Sequence, residues 1–138
     1  MLFSQVAGQE EIKRSLINSI NNNQVSHCYL FEGPEGMGKY ELALLFAQSL
    51  FCLNFHDEPC NECKNCIKVN SLNHPDLHII NEEGKGIKRE DIDDLISSIY
   101  KKPYEADIKV YIIKDAHLMT PQAANTFLKT LEEPPGDA

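Results

Sequence analysis

The stretch HCYLFEGPEGMGKY, His27 to Tyr40, decides the fold. Its first five residues form a short apolar run that reads as a buried strand. Glu32 to Gly38 then places three glycines and one proline in seven positions, so the backbone must turn. Lys39 to Phe51 (KYELALLFAQSLF) follows with strong helix formers and a wide apolar face. Strand, glycine loop and helix together are the setting in which G-x-x-x-x-G-K holds phosphate. Gly33, Gly38 and Lys39 fit that spacing, with Gly36 inside the loop. The glycines let backbone N–H groups converge, the helix N-terminus adds partial positive charge, and Lys39 can reach β- and γ-phosphate oxygens. A plain turn before a helix is the bland alternative, and the flanking elements weigh against it.

The position after the lysine departs from the pattern. A Ser or Thr hydroxyl normally meets Mg²⁺ there, and this chain carries Tyr40. A phenol on a six-carbon ring cannot put its oxygen where a β-hydroxyl sits. A second departure lies further on. The acidic pair that closes a hydrolytic site follows an apolar strand, and the candidate is Val110-Tyr111-Ile112-Ile113-Lys114-Asp115. Lys114 stands where the metal-holding carboxylate belongs, and a cation there repels Mg²⁺ and offers no oxygen. Two independent departures strike one function. Phosphate binding and phosphate hydrolysis must therefore be separated, and intrinsic ATPase activity is not expected.

Outward from the loop, strands and helices alternate. Residues 9–21 place Ile12, Leu16, Ile17 and Ile20 on one helical stripe. A short helix is expected to end over 67–72, followed by a strand over 76–80 and a glycine-bearing turn over 81–86. Ile92, Leu95, Ile96 and Ile99 recur at helical spacing within 88–100, and a third strand occupies 109–113. Thr120 is a natural N-cap with Pro121 at the first helical position, and that helix should end by about Leu131, before Pro134-Pro135. This alternation implies an α/β fold with a largely parallel sheet.

Cys52, Cys60, Cys63 and Cys66 give C-x7-C-x2-C-x2-C, four of the five cysteines within fifteen positions. Four thiolates can close a tetrahedral Zn²⁺ site that keeps no open position, so its role would be structural. Iron–sulfur ligation uses similar short spacings, though with other flanks. Cys28, inside the apolar run, is expected to be a buried core thiol. His27, His78 and His117 read as structural histidines, and Lys85, Lys88 and Arg89 as a solvated basic face.

The chain has 138 residues, 13 Lys+Arg and 21 Asp+Glu, for a formal net charge of −8. That balance argues against holding a nucleic-acid backbone by bulk electrostatics. No apolar run approaches the ~18 residues of a membrane span, and the N-terminus has no secretory pattern. The expectation is a cytoplasmic protein, in which crowded cysteines point to metal rather than disulfides.

These motifs together resemble the bacterial DNA polymerase III clamp-loader subunits of the AAA+ class. The segments carrying the resemblance are HCYLF running into GPEGMGK, the four cysteines, HPDL at 74–77, KVYII at 109–113, and the run from Ala124-Asn125 through LKTLEEPP. The resemblance covers nearly the whole chain. It implies a P-loop three-layer sandwich with parallel strands in the order 5-1-4-3-2, a small zinc module inserted at 52–66, and an end before the central fourth strand. A lid and a C-terminal oligomerisation region would then lie outside residues 1–138. The resemblance carries Cys52, Cys60, Cys63 and Cys66 over as Zn²⁺ ligands. It carries Gly33, Gly36, Gly38 and Lys39 over as a phosphate cradle for ATP. Tyr40 and Lys114 align the chain with the family's delta-prime branch, a stator without catalytic residues, rather than with the ATP-hydrolysing gamma/tau branch. The implied partners are gamma/tau and delta subunits and, indirectly, the sliding clamp and primer-template DNA.

Overall fold

The computed structural model describes residues 1–33 and 38–132. The chain divides into two compact units, Met1–His74 and Pro75–Ala138.

The first unit is helical. A single 3₁₀ turn, Phe3–Gln5, precedes α1 (Glu10–Asn21), α2 (Lys39–Phe51) and α3 (Lys64–Asn70). Phe3, Leu16, Leu42, Leu45 and Phe46 form its core, with Val6, Ile17, Ile20 and Phe31 packed around them. The predicted stripe of α1 is only partly used. Leu16 is buried, whereas Ile12 is left exposed. Lys13 is buried in its place, its ammonium donating to Val6 O at 2.6 Å and Phe3 O at 3.3 Å and pairing with Glu10 at 3.0 Å. A lysine is tolerated there because its stem covers apolar surface while carbonyls satisfy its charge. α2 has the boundaries its sequence predicts and buries residues on nearly every side, from Leu42 round to Phe51.

The expected strand over 27–31 does not form. Residues 28–33 carry no regular structure, Leu30 is 71% exposed, and Cys28 is an exposed thiol rather than a core one. A strand exists through the ladder it makes with a neighbour, and no such neighbour pairs with this run among the described residues. Tyr29 finds another apolar contact, edge-on to Phe46 with centroids 4.9 Å apart.

The second unit is α/β. β1 (Leu77–Ile80) and β2 (Val110–Ile113) pair in parallel, in register from Leu77 with Val110 to Ile80 with Ile113. Parallel neighbours need a crossover, and α4 (Arg89–Ile99) provides it. The sheet thus has two strands among the described residues, where the sequence led us to expect three. A 3₁₀ turn, Ala116–Leu118, leads to α5 (Pro121–Glu132), which packs on α4. Thr120 caps α5 as expected, its hydroxyl accepting the Ala123 N–H at 3.2 Å. Ile87, Ile92 and Ala123 are the core, flanked by Ile80, Ile96, Ile113, Met119 and Phe127. No described helix is long and apolar enough to cross a membrane.

Two buried charges fix the entrances to the strands. Asp76, fully buried, accepts the N–H groups of Tyr104, Glu105 and Ala106 at 2.6, 2.8 and 2.7 Å. Lys109, also buried, donates to the carbonyls of Ser98 and Ile99 at 2.6 and 3.0 Å and to that of Lys101. The carboxylate binds the loop that enters β2, and the ammonium binds the end of α4. Each charge replaces its lost hydration with aligned peptide dipoles.

Candidate metal centre and phosphate loop

The cysteine cluster is assembled at the end of α2 and the start of α3. Cys52 follows directly on α2, Cys63 is the N-cap of α3, and Cys66 lies one turn in. Cys60 is supplied by the intervening loop. That loop reverses direction at Asp57 and Asn61, with φ of 62° and 58°. Asp and Asn are the non-glycine residues that accept this left-handed conformation most readily.

The four sulfurs lie within 4.8 Å of one another, and those of Cys60 and Cys66 are 3.9 Å apart. A tetrahedron with metal–sulfur bonds of ~2.3 Å has sulfur–sulfur edges of ~3.8 Å. The donor set and its spacing therefore fit a tetrahedral thiolate centre. Backbone N–H groups already point at the sulfurs. Asn54 and Cys60 donate to Cys52 at 3.4 and 3.3 Å, Cys63 to Cys60 at 3.3 Å, and Cys66 to Cys63 at 3.4 Å. Such donors favour the thiolate over the thiol.

The cysteines are not electrostatically equal. Burial pushes the Cys66 thiol up to about 12 and also raises Cys52. Burial acts to raise Cys63 too, yet the N–H groups of Leu53 and Cys66 and the thiols of Cys66 and Cys60 outweigh it and bring it to about 6. Clustered thiols resist losing all their protons together, and a divalent cation at their centre reverses that preference.

A shell of amides surrounds the cluster, none of it anticipated from the sequence. Buried Gln48 on α2 donates to Asn61 Oδ1 at 2.9 Å. Asn65, also buried, donates to Phe51 O at 2.8 Å and accepts from His74 Nε2 at 3.0 Å. His74 stacks on Phe51 with centroids 4.3 Å apart. His74 is thereby occupied in holding α2 to α3. A polar residue amid the apolar run ALLFAQSLF was the available signal for Gln48.

In the phosphate loop, Gly36 lies outside the described residues. Gly33 has φ of 152° and Gly38 has φ of 77°, both unfavourable for a side chain. At Gly38 the conformation, not space, requires glycine, because a Cβ would meet only Glu41 at 3.8 Å and Val6 at 4.0 Å. Lys39 Nζ donates to Gly33 O at 2.7 Å, so its ammonium lies against the loop expected to cradle phosphate. Tyr40 lies within the first turn of α2. At the exit of β2, Lys114 N–H donates to Ile80 O at 3.0 Å, Asn81 Nδ2 donates to Lys114 O at 2.9 Å, and Lys114 Nζ lies 3.5 Å from Glu82 O.

The family description "DNA polymerase III, delta subunit" matches residues 8–138. The chain belongs to this DNA polymerase III family. Among individual proteins, it is 46% identical over 129 residues to the DNA polymerase III subunit delta' of Bacillus subtilis, covering 94% of this chain and 39% of that protein. It is 40% identical over 134 residues to the gamma/tau subunit of Mycoplasma pneumoniae, covering 96% of this chain and 19% of that one. The tau/gamma subunit of Haemophilus influenzae is also 40% identical over 134 residues, with the same shares covered. The chain thus spans about two fifths of its delta' relative and about a fifth of the gamma/tau relatives. Family membership agrees with the sequence resemblance, and the two-stranded parallel sheet and clustered cysteines agree with its coarse architecture.

Proposed function

We propose that the chain is the AAA+ P-loop portion of a delta-prime-type clamp-loader subunit. It acts as a stator that positions gamma/tau and delta partners in the cytoplasm while the assembly places the sliding clamp on primer-template DNA. The observation that carries this reading is Lys114. Where a hydrolytic site needs a carboxylate oxygen for Mg²⁺, the chain offers a cation at the exit of an apolar strand. Tyr40 removes the second protein contact to that metal. No catalytic residue is assigned. Gly33, Gly36, Gly38 and Lys39 form a phosphate cradle, and ATP is its candidate ligand. Cys52, Cys60, Cys63 and Cys66 hold a structural Zn²⁺, which supplies the positive charge that four thiolates require.

A second reading, an active gamma/tau-type ATPase, draws support from the 40% identity to gamma/tau subunits. Nucleotide titration and phosphate release, each with and without Mg²⁺, separate the two. The stator reading expects no turnover with or without Mg²⁺, and any binding should weaken in Lys39→Ala. Mg²⁺-dependent hydrolysis abolished by Lys39→Ala would establish the ATPase instead.

A further inference from the structure

The loop carrying the cysteines also holds the beginning of the chain. Glu58, between Cys52 and Cys60, accepts the Phe3 N–H, the Ser4 N–H at 3.3 Å and the Ser4 hydroxyl at 2.9 Å. Asn61, between Cys60 and Cys63, donates through Nδ2 to Met1 O at 2.9 Å and to Pro59 O at 3.1 Å. Its Oδ1 accepts from Gln48 at 2.9 Å and from Asn70 at 3.0 Å. Two side chains of the cysteine loop therefore bind residues 1–4, separated from them by more than fifty positions. Phe3, the residue so held, is 3% exposed and lies in the core with Leu16, Leu42 and Phe46.

Between Cys60 and Cys66 the loop carries no core hydrophobic residue. Phe55 against the core, buried Pro59 and an Asn21 Nδ2 donor to Asp57 at 2.7 Å anchor its first half, and it bears left-handed backbone at Asp57 and Asn61. Closing four sulfurs on one ion fixes its path. A loop so fixed presents Glu58 and Asn61 at set positions, whereas an unfixed loop must bear the ordering entropy itself. We propose that the metal centre is a latch for the N-terminal segment: metal binding and the seating of residues 2–6, with Phe3 in the core, are one coupled event. This rests on the metal reading given above.

Coupling of this kind is reciprocal. Whatever factor the bound metal adds to seating, seating adds to metal affinity. The test uses Glu58→Ala and Asn61→Gly in the 138-residue chain, both outside the sulfur ligands. Glycine at 61 keeps the positive φ and the backbone N–H while removing the amide. Two quantities are read: amide hydrogen exchange, and Zn²⁺ affinity by competition with a chromophoric chelator. The latch predicts that, with one Zn²⁺ still bound, amides of residues 2–6 exchange about tenfold faster or more in each variant. Amides of residues 44–47 should stay protected, and Zn²⁺ affinity should fall by a comparable factor. Chelating the unsubstituted protein should free residues 2–6 before residues 44–47. The proposal is overturned if variants loosen residues 2–6 with Zn²⁺ affinity unchanged, or if chelation leaves their exchange within twofold. A chain that takes up no Zn²⁺ under any condition would overturn the metal reading first, and the latch with it.

Discussion

In the Met1–His74 unit, the clustered sulfurs are answered by backbone N–H groups and by one another, and burial drives two of the thiols toward the protonated form. In the Pro75–Ala138 unit, each buried charge is met by peptide groups of the chain. Asp76 takes three peptide N–H groups, and Lys109 takes three carbonyls. The first arrangement calls for an external cation, whereas the second is met by the chain's own peptide dipoles. The difference teaches where a ligand contributes to stability. The cysteine unit should respond to metal activity by mass action, and the strand unit should not.

The sharpest way to break that comparison is to remove the metal. At free Zn²⁺ a thousandfold above its Kd, linkage supplies about 4 kcal/mol. Chelation, or Cys66→Ser, should therefore cost residues 1–74 several kcal/mol. Amide exchange should show Leu45 and Phe46 losing protection while Ile79 and Ile112 keep theirs. Equal loss in both units would end the distinction. Asp76→Ala is the converse experiment. It strands the peptide donors of Tyr104, Glu105 and Ala106, and losing charge-assisted hydrogen bonds of this kind costs about 1.5–3 kcal/mol each at most. The loss should appear in denaturant unfolding of the strand unit and be independent of Zn²⁺.

A smaller effect, about 1 kcal/mol, is expected from Thr120→Ala, which removes the hydroxyl capping α5. Exchange should quicken in residues 121–124 and not in α2. The smallest is a pH effect. His78 stacks on Tyr111 at 4.7 Å, and its Nε2 is buried without a hydrogen-bond partner. Burial first, then the Lys109 charge, depresses its pKa, against a smaller opposing pull from Asp76. Between that lowered value and ~6.5, the unfolded chain binds the proton and the folded chain does not. The contribution is therefore whole above ~6.5 and declines as pH falls below it. Urea midpoints of the strand unit at pH 7.5 and 5.5 should differ less in His78→Phe than in the parent.

Local pattern was read well where the forces are local. KYELALLFAQSLF forms a helix with the expected ends, and REDIDDLISSI buries the expected Ile92, Leu95 and Ile99. The spacing C-x7-C-x2-C-x2-C indicated four convergent ligands, and the chain brings those sulfurs together. HCYLF was misread for the opposite reason. Its composition suits a strand, but a strand requires a partner that no local pattern guarantees.

The sequence by itself determined the helices, the pairing-prone strands within 76–80 and 109–113, and the residues able to bind metal. Each follows from side chains within a few positions of one another, through periodicity, capping or ligand spacing. Only the tertiary structure decided that His27–Phe31 lies outside the sheet and that Cys28 is exposed. It also decided that Glu58 and Asn61 serve the N-terminal segment, and that Asp76 and Lys109 tie down a distant loop and helix end. A buried polar group must find partners wherever the chain happens to supply them, and those partners are fixed by packing rather than by neighbours in sequence.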